Sequence, residues 1–265
     1  MDENCQNCND IITKNFCTNC GQKKFKRIDK KYLWDELQYT VLHTNKGLLY
    51  SVKKVLKNPG KTAREFIDGN RVSHYKPLPL VFVLSGISTF LSYKVLGFDK
   101  IMSSYYSGKK MNSDLNTDMI SFLTSYTPIL MLLMVPFFAI TTKIAFRKWG
   151  HNFYEHVVMN SYILSFYTLI SIIFIYPIIF VSRHSAPSLV INLSQMSMLL
   201  VPFILVWFFK EFYKEKTLKT IILRILLVTL LTIIGFVLLM LIVAIIAIII
   251  VMLKGPESLQ YLKPK

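Results

Sequence analysis

Five long apolar runs constrain this chain more than any other feature of its sequence. They cover approximately residues 78–98, 119–146, 154–181, 189–209 and 221–253, and short polar loops separate them. Because a helix needs about 20 mainly apolar residues to cross a bilayer, each run is long enough to span a membrane. We therefore expect an all-α integral membrane protein with about five transmembrane helices.

The overall composition supports this class of protein. Hydrophobic residues make up 53% of the 265 residues and charged residues only 17%, against about 25% charged in an ordinary soluble domain. Such a composition argues against a soluble enzyme, a disordered chain and a secreted disulfide scaffold. The sequence contains no phosphate loop, dinucleotide fingerprint or nucleophile elbow, so we assign no catalytic residue and no organic cofactor.

The last apolar run is long for a single span. At 1.5 Å per residue, residues 221–253 would reach about 50 Å as one helix, whereas the hydrocarbon core of a bilayer is about 30 Å thick. A hairpin around Gly235 would divide the run into two spans, but one of them would be shorter than the usual minimum of about 17 residues. The sequence therefore favours one tilted helix over a hairpin.

The distribution of charge indicates an orientation. The chain has 31 Lys and Arg residues against 15 Asp and Glu residues, a net charge of +16. Basic residues are concentrated before the first run and in the second and fourth loops between runs; these loops contain Lys143, Arg147, Lys148, Lys210, Lys214, Lys216 and Lys219. The positive-inside rule then places the N-terminus in the cytoplasm and, with five spans, the C-terminus on the opposite side.

Four cysteines near the N-terminus form a specific motif. Cys5 and Cys8 make one C-x2-C knuckle, and Cys17 and Cys20 make a second. Two knuckles supply four thiolates in a tetrahedron, which is typical of a closed, structural zinc site, whereas a catalytic zinc keeps an open position. Two disulfides, or four thiols without a ligand, are alternatives that a reducing cytoplasm disfavours. The motif therefore predicts a zinc ribbon that holds one structural Zn²⁺.

The predicted organisation follows from these features and has four parts. Residues 1–22 form the zinc ribbon, residues 23–76 a basic amphipathic juxtamembrane segment, residues 77–253 the membrane domain, and residues 254–265 a polar tail. The juxtamembrane segment begins with KKFKRIDKK at residues 23–31. Leu33, Leu37 and Val41 then recur at helical spacing, which predicts an amphipathic helix.

Two further short helices are expected before the first span. Apolar residues follow a helical period in the stretch from Leu48 to Leu56, and Asn58-Pro59-Gly60 should end that helix. Thr62 and Glu65 have the spacing of a capping box for a third helix, which Gly69 would close. His74 stands alone in this region and is expected to be solvated.

Basic amphipathic helices beside a span are typical of interfacial helices that lie on anionic lipid headgroups. Each nearby Lys or Arg contributes about 1 kcal/mol of attraction to such a surface. Two alternatives are that these helices pack on the membrane domain, or that the basic segment binds nucleic acid. We disfavour nucleic acid, because the charges lie next to the membrane and lipid accounts for them.

Several sequence pieces resemble those of a known family. They are Cys5–Cys8, residues 16–23, residues 45–50, residues 58–60, residues 65–71 and residues 154–156. In these pieces the chain resembles the bacterial zinc-ribbon membrane proteins grouped as domain of unknown function 3667, most densely over residues 5–80. Asn70 departs from the basic residue usual there. The resemblance implies a ribbon joined to a membrane domain in a bacterial cytoplasmic (inner) membrane, and it implies no activity.

His151, Glu155 and His156 form the pattern H-x-x-x-E-H, which is close to a zinc-protease signature. The two histidines are five positions apart, so they lie about 140° apart on a helix and cannot share one metal ion. We expect Glu155 to lie near the N-terminus of the third span, where a carboxylate is favoured. The alternative is that Glu155 and His156 act as acid and base in a lipid-acting membrane enzyme.

Polar residues within the third run allow another function. They are Asn160, Ser161, Ser165, Thr168 and Ser171. We expect them to form hydrogen bonds between helices, although they could instead line the path of a small transporter or channel component. Lys94 and Arg224, near the ends of the first and fifth runs, are expected to snorkel to the interface.

The sequence thus favours a non-enzymatic membrane protein whose cytoplasmic zinc ribbon serves protein interaction or scaffolding. Its expected partners are a bilayer with anionic headgroups and a cytoplasmic protein. A small transporter or channel component is the first alternative, and a lipid-acting membrane enzyme the second.

Overall fold

The computed structural model describes residues 3–5, 8–20, 47–70, 74–109, 113–183 and 187–254. The chain divides into two compact units, Met1–Asn45 and Lys46–Lys265, called below the cysteine unit and the helical unit. The KKFKRIDKK stretch, the helix predicted around Leu33, Leu37 and Val41, and the polar tail after Lys254 lie outside the described residues.

The cysteine unit contains a short antiparallel ladder between β1 (Glu3–Asn4) and β2 (Ile11–Ile12). A tight turn follows β1: the Cys5 N–H donates to the Asp10 carbonyl at 2.7 Å, and the Asn9 N–H to the Cys5 carbonyl at 2.8 Å. Asn9 has φ of 63°, a left-handed conformation that Asn tolerates better than most residues. Among the described residues of this unit, the buried hydrophobic cluster consists of Cys5, Ile12 and Cys17.

The described part of the helical unit is built from α-helices. They are α1 (Gly47–Lys57), α2 (Pro59–Ile67), α3 (Pro77–Phe90), α4 (Phe98–Gly108), α5 (Asp114–Ala145), α6 (Phe153–Ile170), α7 (Tyr176–Ser182), α8 (Pro187–Ser197), α9 (Leu200–Phe212) and α10 (Leu218–Lys254). A π-helical turn at Leu91–Val95 extends α3, and a second one at Ser171–Ile175 joins α6 to α7. A 3-10 turn, Arg147–Trp149, follows α5.

Five helical segments are long and apolar enough to cross a membrane, which confirms the predicted number. In chain order these spans are Pro77–Val95, Asp114–Ala145, Phe153–Ser182, Ser188–Phe212 and Leu218–Ile246. The fifth span belongs to one continuous helix of 37 residues, so the single helix is correct and the hairpin around Gly235 is wrong. The chain is a multi-pass membrane protein.

The core of the helical unit lies where the first, second and third spans pack together, and the fourth and fifth spans extend it. It includes Leu80 from the first span, Tyr162 from the third and Phe208 from the fourth, each fully buried. The distal part of the fifth span has little protein around it, since every side chain from Phe236 to Ile246 is exposed. Such an apolar surface suits contact with lipid chains.

The apolar face of α1 packs on the other helices of the helical unit and not on lipid. Val55 of α1 and Ala63 of α2 are completely buried in the same core cluster as Phe208, whereas Leu49 on the other side of α1 is 81% exposed. Gly60 allows the close approach of α2, because a Cβ at this position would lie 2.3 Å from the Phe208 carbonyl oxygen. For this part of the juxtamembrane segment, packing on the membrane domain describes the structure better than an interfacial helix.

The structure corrects the predicted start of α2. Helix α1 ends at Lys57, but Asn58 then caps a new helix, because its side-chain oxygen accepts from the Lys61 N–H at 2.9 Å. Pro59 suits the first helical position, where a missing N–H does no harm. Thr62 therefore lies inside the helix and donates to the Asn58 carbonyl, so the Thr62 capping box is wrong. Gly69 ends the segment with φ of 110°.

Candidate metal centre and basic membrane face

The four cysteines come together in the cysteine unit. The Sγ atoms of Cys5, Cys8, Cys17 and Cys20 all lie within 4.8 Å of one another. The Sγ–Sγ distances are 3.5 Å for Cys5–Cys20, 3.5 Å for Cys8–Cys17 and 3.4 Å for Cys8–Cys20. These distances are far longer than the disulfide bond of about 2.05 Å. They are close to the edge of about 3.8 Å that Zn–S bonds of about 2.3 Å give a tetrahedron.

Electrostatics in this cluster favour a bound cation. The Asp10 backbone N–H lowers the pKa of the Cys8 thiol, but the Cys20 and Cys17 thiols outweigh it and raise that pKa to about 12. Four thiolates held this close repel one another, and a divalent cation between them removes the repulsion and displaces the protons. The cysteines can therefore hold one metal ion, and soft sulfur donors fill all four positions of its shell.

Two exposed apolar side chains lie on the surface of the same unit. Ile11 is 54% exposed and Phe16 is 56% exposed, whereas Ile12, next to Ile11, is 4% exposed. The alternation along β2 explains this difference, because successive side chains of a strand point to opposite faces. Sequence reasoning assigned no role to Ile11 or Phe16, although apolar residues beside candidate metal ligands are a detectable signal.

The helical unit brings several basic segments to one membrane end. Helix α2 packs against the C-terminus of the fourth span. Arg64 Nη1 donates to the Phe212 carbonyl at 2.7 Å and lies 3.4 Å from Glu215 Oε2. Asn58 Nδ2 also donates to Glu211 Oε2 at 2.7 Å. The last carbonyls of a helix lack partners within the helix and attract cations, which accounts for the position of Arg64.

The loop after the second span lies at the same end. Tyr213 Oη is 3.1 Å from His151 Nδ1, and Lys143 Nζ donates to the His151 carbonyl. Arg224 Nη1 donates to the Ala145 carbonyl at 2.8 Å. Arg224 therefore does not simply snorkel, as the sequence predicted, but caps the C-terminus of a neighbouring helix. We call this end of the helical unit the basic face.

Aromatic packing holds the basic face together. The rings of Phe146 and Phe209 stack with centroids 4.3 Å apart, and those of Trp149 and Tyr213 meet edge to face at 4.7 Å. Offset-stacked and edge-to-face arrangements are the favourable ones for aromatic pairs. They join the end of the second span to the end of the fourth, and so position the basic loops that follow both spans.

Glu155 and His156 do not form an acid–base pair. Glu155 Oε2 accepts from the Asn152 N–H at 2.7 Å while the Asn152 side chain accepts from the Glu155 N–H at 2.9 Å, a complete capping box. His156 is fully buried, with its ring centroid 6.5 Å from that of Phe146. The expected structural role of Glu155 at the helix N-terminus is confirmed, and the acid–base alternative has no geometric support.

The polar residues of the third span are all buried. Asn160 Nδ2 donates to Thr142 Oγ1 of the second span at 2.8 Å, which confirms a hydrogen bond between helices at this position. Ser161, Thr168 and Ser171 instead donate to carbonyls four residues earlier in their own helix. The prediction of bonds between helices is therefore wrong for these three, because a hydroxyl on a helix can reach its own backbone.

The prediction that His74 is solvated is wrong. His74 is buried rather than solvated, between Tyr50 and Phe66, with ring centroids 5.3 and 6.2 Å away. Its Nε2 lies 3.8 Å from Glu65 Oε2. Burial lowers the pKa of His74 below its usual value, with Glu65 opposing that shift and Lys54 reinforcing it.

Comparison with known protein families gives a match over part of the chain. A family model described as "Protein of unknown function (DUF3667)" matches residues 45–89. The matched stretch contains α1, α2 and most of α3, so it covers the two helices before the first span and most of that span, and none of the four cysteines. No curated protein and no solved structure matches the chain. The chain is thus similar to this family over the start of its helical unit.

Proposed function

We propose that this chain is a non-enzymatic scaffolding protein of a bacterial cytoplasmic membrane, and that its zinc ribbon docks a cytoplasmic protein. The observation that carries the proposal is the cysteine unit itself. It combines a closed cluster of four sulfur atoms with the exposed apolar side chains of Ile11 and Phe16. A metal site without an open position supports structure rather than reaction, and exposed apolar side chains support binding.

Zinc is the metal that this donor set suits best. Four thiolates at tetrahedral separations match the structural zinc sites of ribbon domains. Zinc also has no redox chemistry that would oxidise its ligands, and it tolerates a tetrahedral shell without preference from d electrons. Metal analysis of the purified full-length chain should find one Zn per chain, held by Cys5, Cys8, Cys17 and Cys20.

The proposed orientation has the basic face in the cytoplasm. This face carries Arg147, Lys148, Lys214 and Lys219, all exposed, whereas the opposite end mixes Lys100 and Lys109 with Asp99, Asp114 and Asp118. The positive-inside rule then supports a cytoplasmic N-terminus. Reporter fusions should place Lys148 and Lys216 inside the cell and Lys110 outside, and the reverse pattern would reject this orientation.

The docking surface can be tested with a photo-crosslinking amino acid at position 16 in intact cells. We expect one discrete adduct, because a binding surface with an aromatic anchor presents a defined contact. The adduct should disappear when Cys17→Ser removes the fold of the ribbon. The matched control has the crosslinker at Tyr154, an aromatic residue of the helical unit that is 77% exposed.

Two results would contradict the scaffold. One is a set of diffuse adducts from position 16 no different from those at position 154. The other is an adduct that persists unchanged in the Cys17→Ser variant. If the adduct is instead discrete and depends on the ribbon, mass spectrometry of the captured protein would identify the partner.

One observation favours a transport path as a second candidate. Among the described residues, both ring nitrogens of the buried His156, the Tyr162 hydroxyl and the Ser165 hydroxyl have no hydrogen-bond partner, and buried polar groups usually have one. A water-filled path would satisfy them. Cysteine at position 165 should then react with a small water-soluble thiol reagent, whereas in the scaffold it should stay unreactive.

A further inference from the structure

A surface cavity that is open on one side lies on the basic face, between the loop after the second span and the start of the fifth. Its volume is about 460 Å³, within the range of about 300–1,000 Å³ that small-molecule sites occupy. The residues that line it are Trp149, Lys216, Thr220, Leu223, Arg224 and Leu227. The polar residues that the structure describes in the third span are not among the lining residues.

The polar part of this cavity suits an anion. Lys216 and Arg224 are half-buried, and no carboxylate is found among the lining residues that the structure describes. Lys216 Nζ lies 5.6 Å from the centroid of the Trp149 ring, so the ring positions the ammonium group beside the cavity. Arg224 uses Nη1 for the Ala145 carbonyl, and its other N–H groups provide further donors in a fixed fork.

The remaining wall of the cavity is apolar and continues towards the middle of the bilayer. Leu223 is 57% exposed and Leu227 is half-buried. Leu227 lies about 14 Å along the helix axis from Leu218 at the start of α10. Leu223 lies beside Arg224 on α10, and Leu227 lies about 4.5 Å further along the span. The cavity therefore combines cations near the end of the span with leucine side chains that extend one helical turn further into it.

We propose that this cavity binds one anionic phospholipid, with its phosphate between Lys216 and Arg224 and an acyl chain along Leu223 and Leu227. Trp149 lies at the mouth, where an amphipathic ring is favoured at the membrane interface. Free phosphate would use the same cations, but it would leave the leucine wall without a role. The combination of both walls favours the lipid.

The test uses the full-length chain in detergent, with bound lipid counted by native mass spectrometry. Phosphatidylglycerol should be retained at one copy per chain, and phosphatidylcholine much less. Lys216→Gln should lower phosphatidylglycerol retention about fivefold, as expected for one cation near an anionic headgroup. Lys219→Gln is the matched control, since Lys219 is exposed and does not line the cavity.

Further variants and a competing anion identify the ligand and control for misfolding. Arg224→Lys keeps the charge and should retain more phosphatidylglycerol than Arg224→Gln. Inorganic phosphate at equal concentration should not displace the lipid. Equal retention of phosphatidylcholine, equal loss in the Lys216→Gln and Lys219→Gln variants, or displacement by phosphate would each overturn the proposal. The ribbon plays no part in this test, so the result is independent of the proposed scaffolding function.

Discussion

The cysteine unit and the helical unit obtain their structure in opposite ways. Among the residues described, the cysteine unit has a buried hydrophobic cluster of Cys5, Ile12 and Cys17, and two of these three carry the sulfur atoms that could bind metal. The helical unit has a continuous core that extends from Val55 of α1 to Val228 of the fifth span. In the proposed metal-bound form, the stability of the cysteine unit depends on one ion, whereas the stability of the helical unit is distributed over many side chains.

This difference has a general lesson for chains that join a small metal module to a membrane domain. A module too small to bury enough apolar surface leaves its apolar residues available on the outside, as Ile11 and Phe16 show. A membrane domain instead buries its bulky residues between helices and exposes the rest to lipid. A single substitution should therefore abolish the fold of one unit, but only weaken the other.

The largest expected effect is loss of the metal from the cysteine unit. Cys17→Ser should remove most of the binding energy, which for small structural zinc sites is of order 10–16 kcal/mol near pH 7. The ribbon should unfold while the helical unit keeps its helicity, and metal content together with circular dichroism would measure both. Full zinc retention in the variant, or loss of helicity across the chain, would break the comparison.

A smaller effect is expected from a core substitution in the helical unit. Phe209 is fully buried and stacks on Phe146, so Phe209→Ala should lower the free energy of unfolding by about 3–5 kcal/mol. The matched control is Phe203→Ala on the same helix, because Phe203 is 73% exposed and should change stability by about 0.5 kcal/mol or less. Denaturant unfolding in mixed micelles provides the measurement.

The contact between α2 and the fourth span should respond to a single methyl group. Gly60→Ala would place a Cβ against the Phe208 carbonyl and should destabilise the docked helix by about 1–3 kcal/mol. Gly86→Ala is the control, because nothing lies within 4 Å of a Cβ at that position and alanine favours helix. Limited proteolysis between α1 and the first span would report whether α2 has left its site.

The smallest expected effect is a dependence on pH through His74. Because burial lowers its pKa from the usual 6.5, the folded state favours the neutral ring. Stability from this group is complete above pH 6.5 and is lost as the pH falls through the lowered pKa. His74→Leu should reduce the loss of thermal stability between pH 7 and pH 5, and an unchanged slope would remove His74 as its source.

Acid should also act on the cysteine unit, for a different reason. Protons compete with the metal for the thiolates, so the ribbon should release metal as the pH falls, whether or not His74 is present. Metal release and the melting of the helical unit can be followed separately. A common midpoint that shifts in the His74→Leu variant would show that the two units are coupled.

The sequence predicted the class of fold, because span length and apolarity are local properties. Five spans, a continuous fifth helix and the gathering of four cysteines all follow from spacing and composition. Residues whose roles depend on a distant partner were placed less well. Arg224 caps the helix that ends at Ala145, and His74 is enclosed by Tyr50 and Phe66; neither partner can be identified from neighbouring letters in the sequence.

The apolar face of α1 illustrates the same limit. A helical period of apolar residues beside basic ones fits a helix that lies on lipid as well as a helix that packs on protein. Only the three-dimensional structure distinguishes these two arrangements. The complete burial of Val55 decides the case for α1, and the close approach of Gly60 to the backbone of the fourth span decides it for α2. The cavity bounded by Trp149 and Lys216 likewise joins two loops that are far apart in the chain.

The length of α10 gives the protein a dependence on the thickness of its membrane. Arg224 is held at the basic face, and about 45 Å of helix separates it from Lys254; an average tilt of about 20° shortens that reach only to about 42 Å. A hydrocarbon core of about 30 Å is too thin to surround the whole apolar length of this helix. Such hydrophobic mismatch is smaller where the bilayer is thicker. The thickness of the bilayer should therefore influence how the protein is distributed among membrane regions.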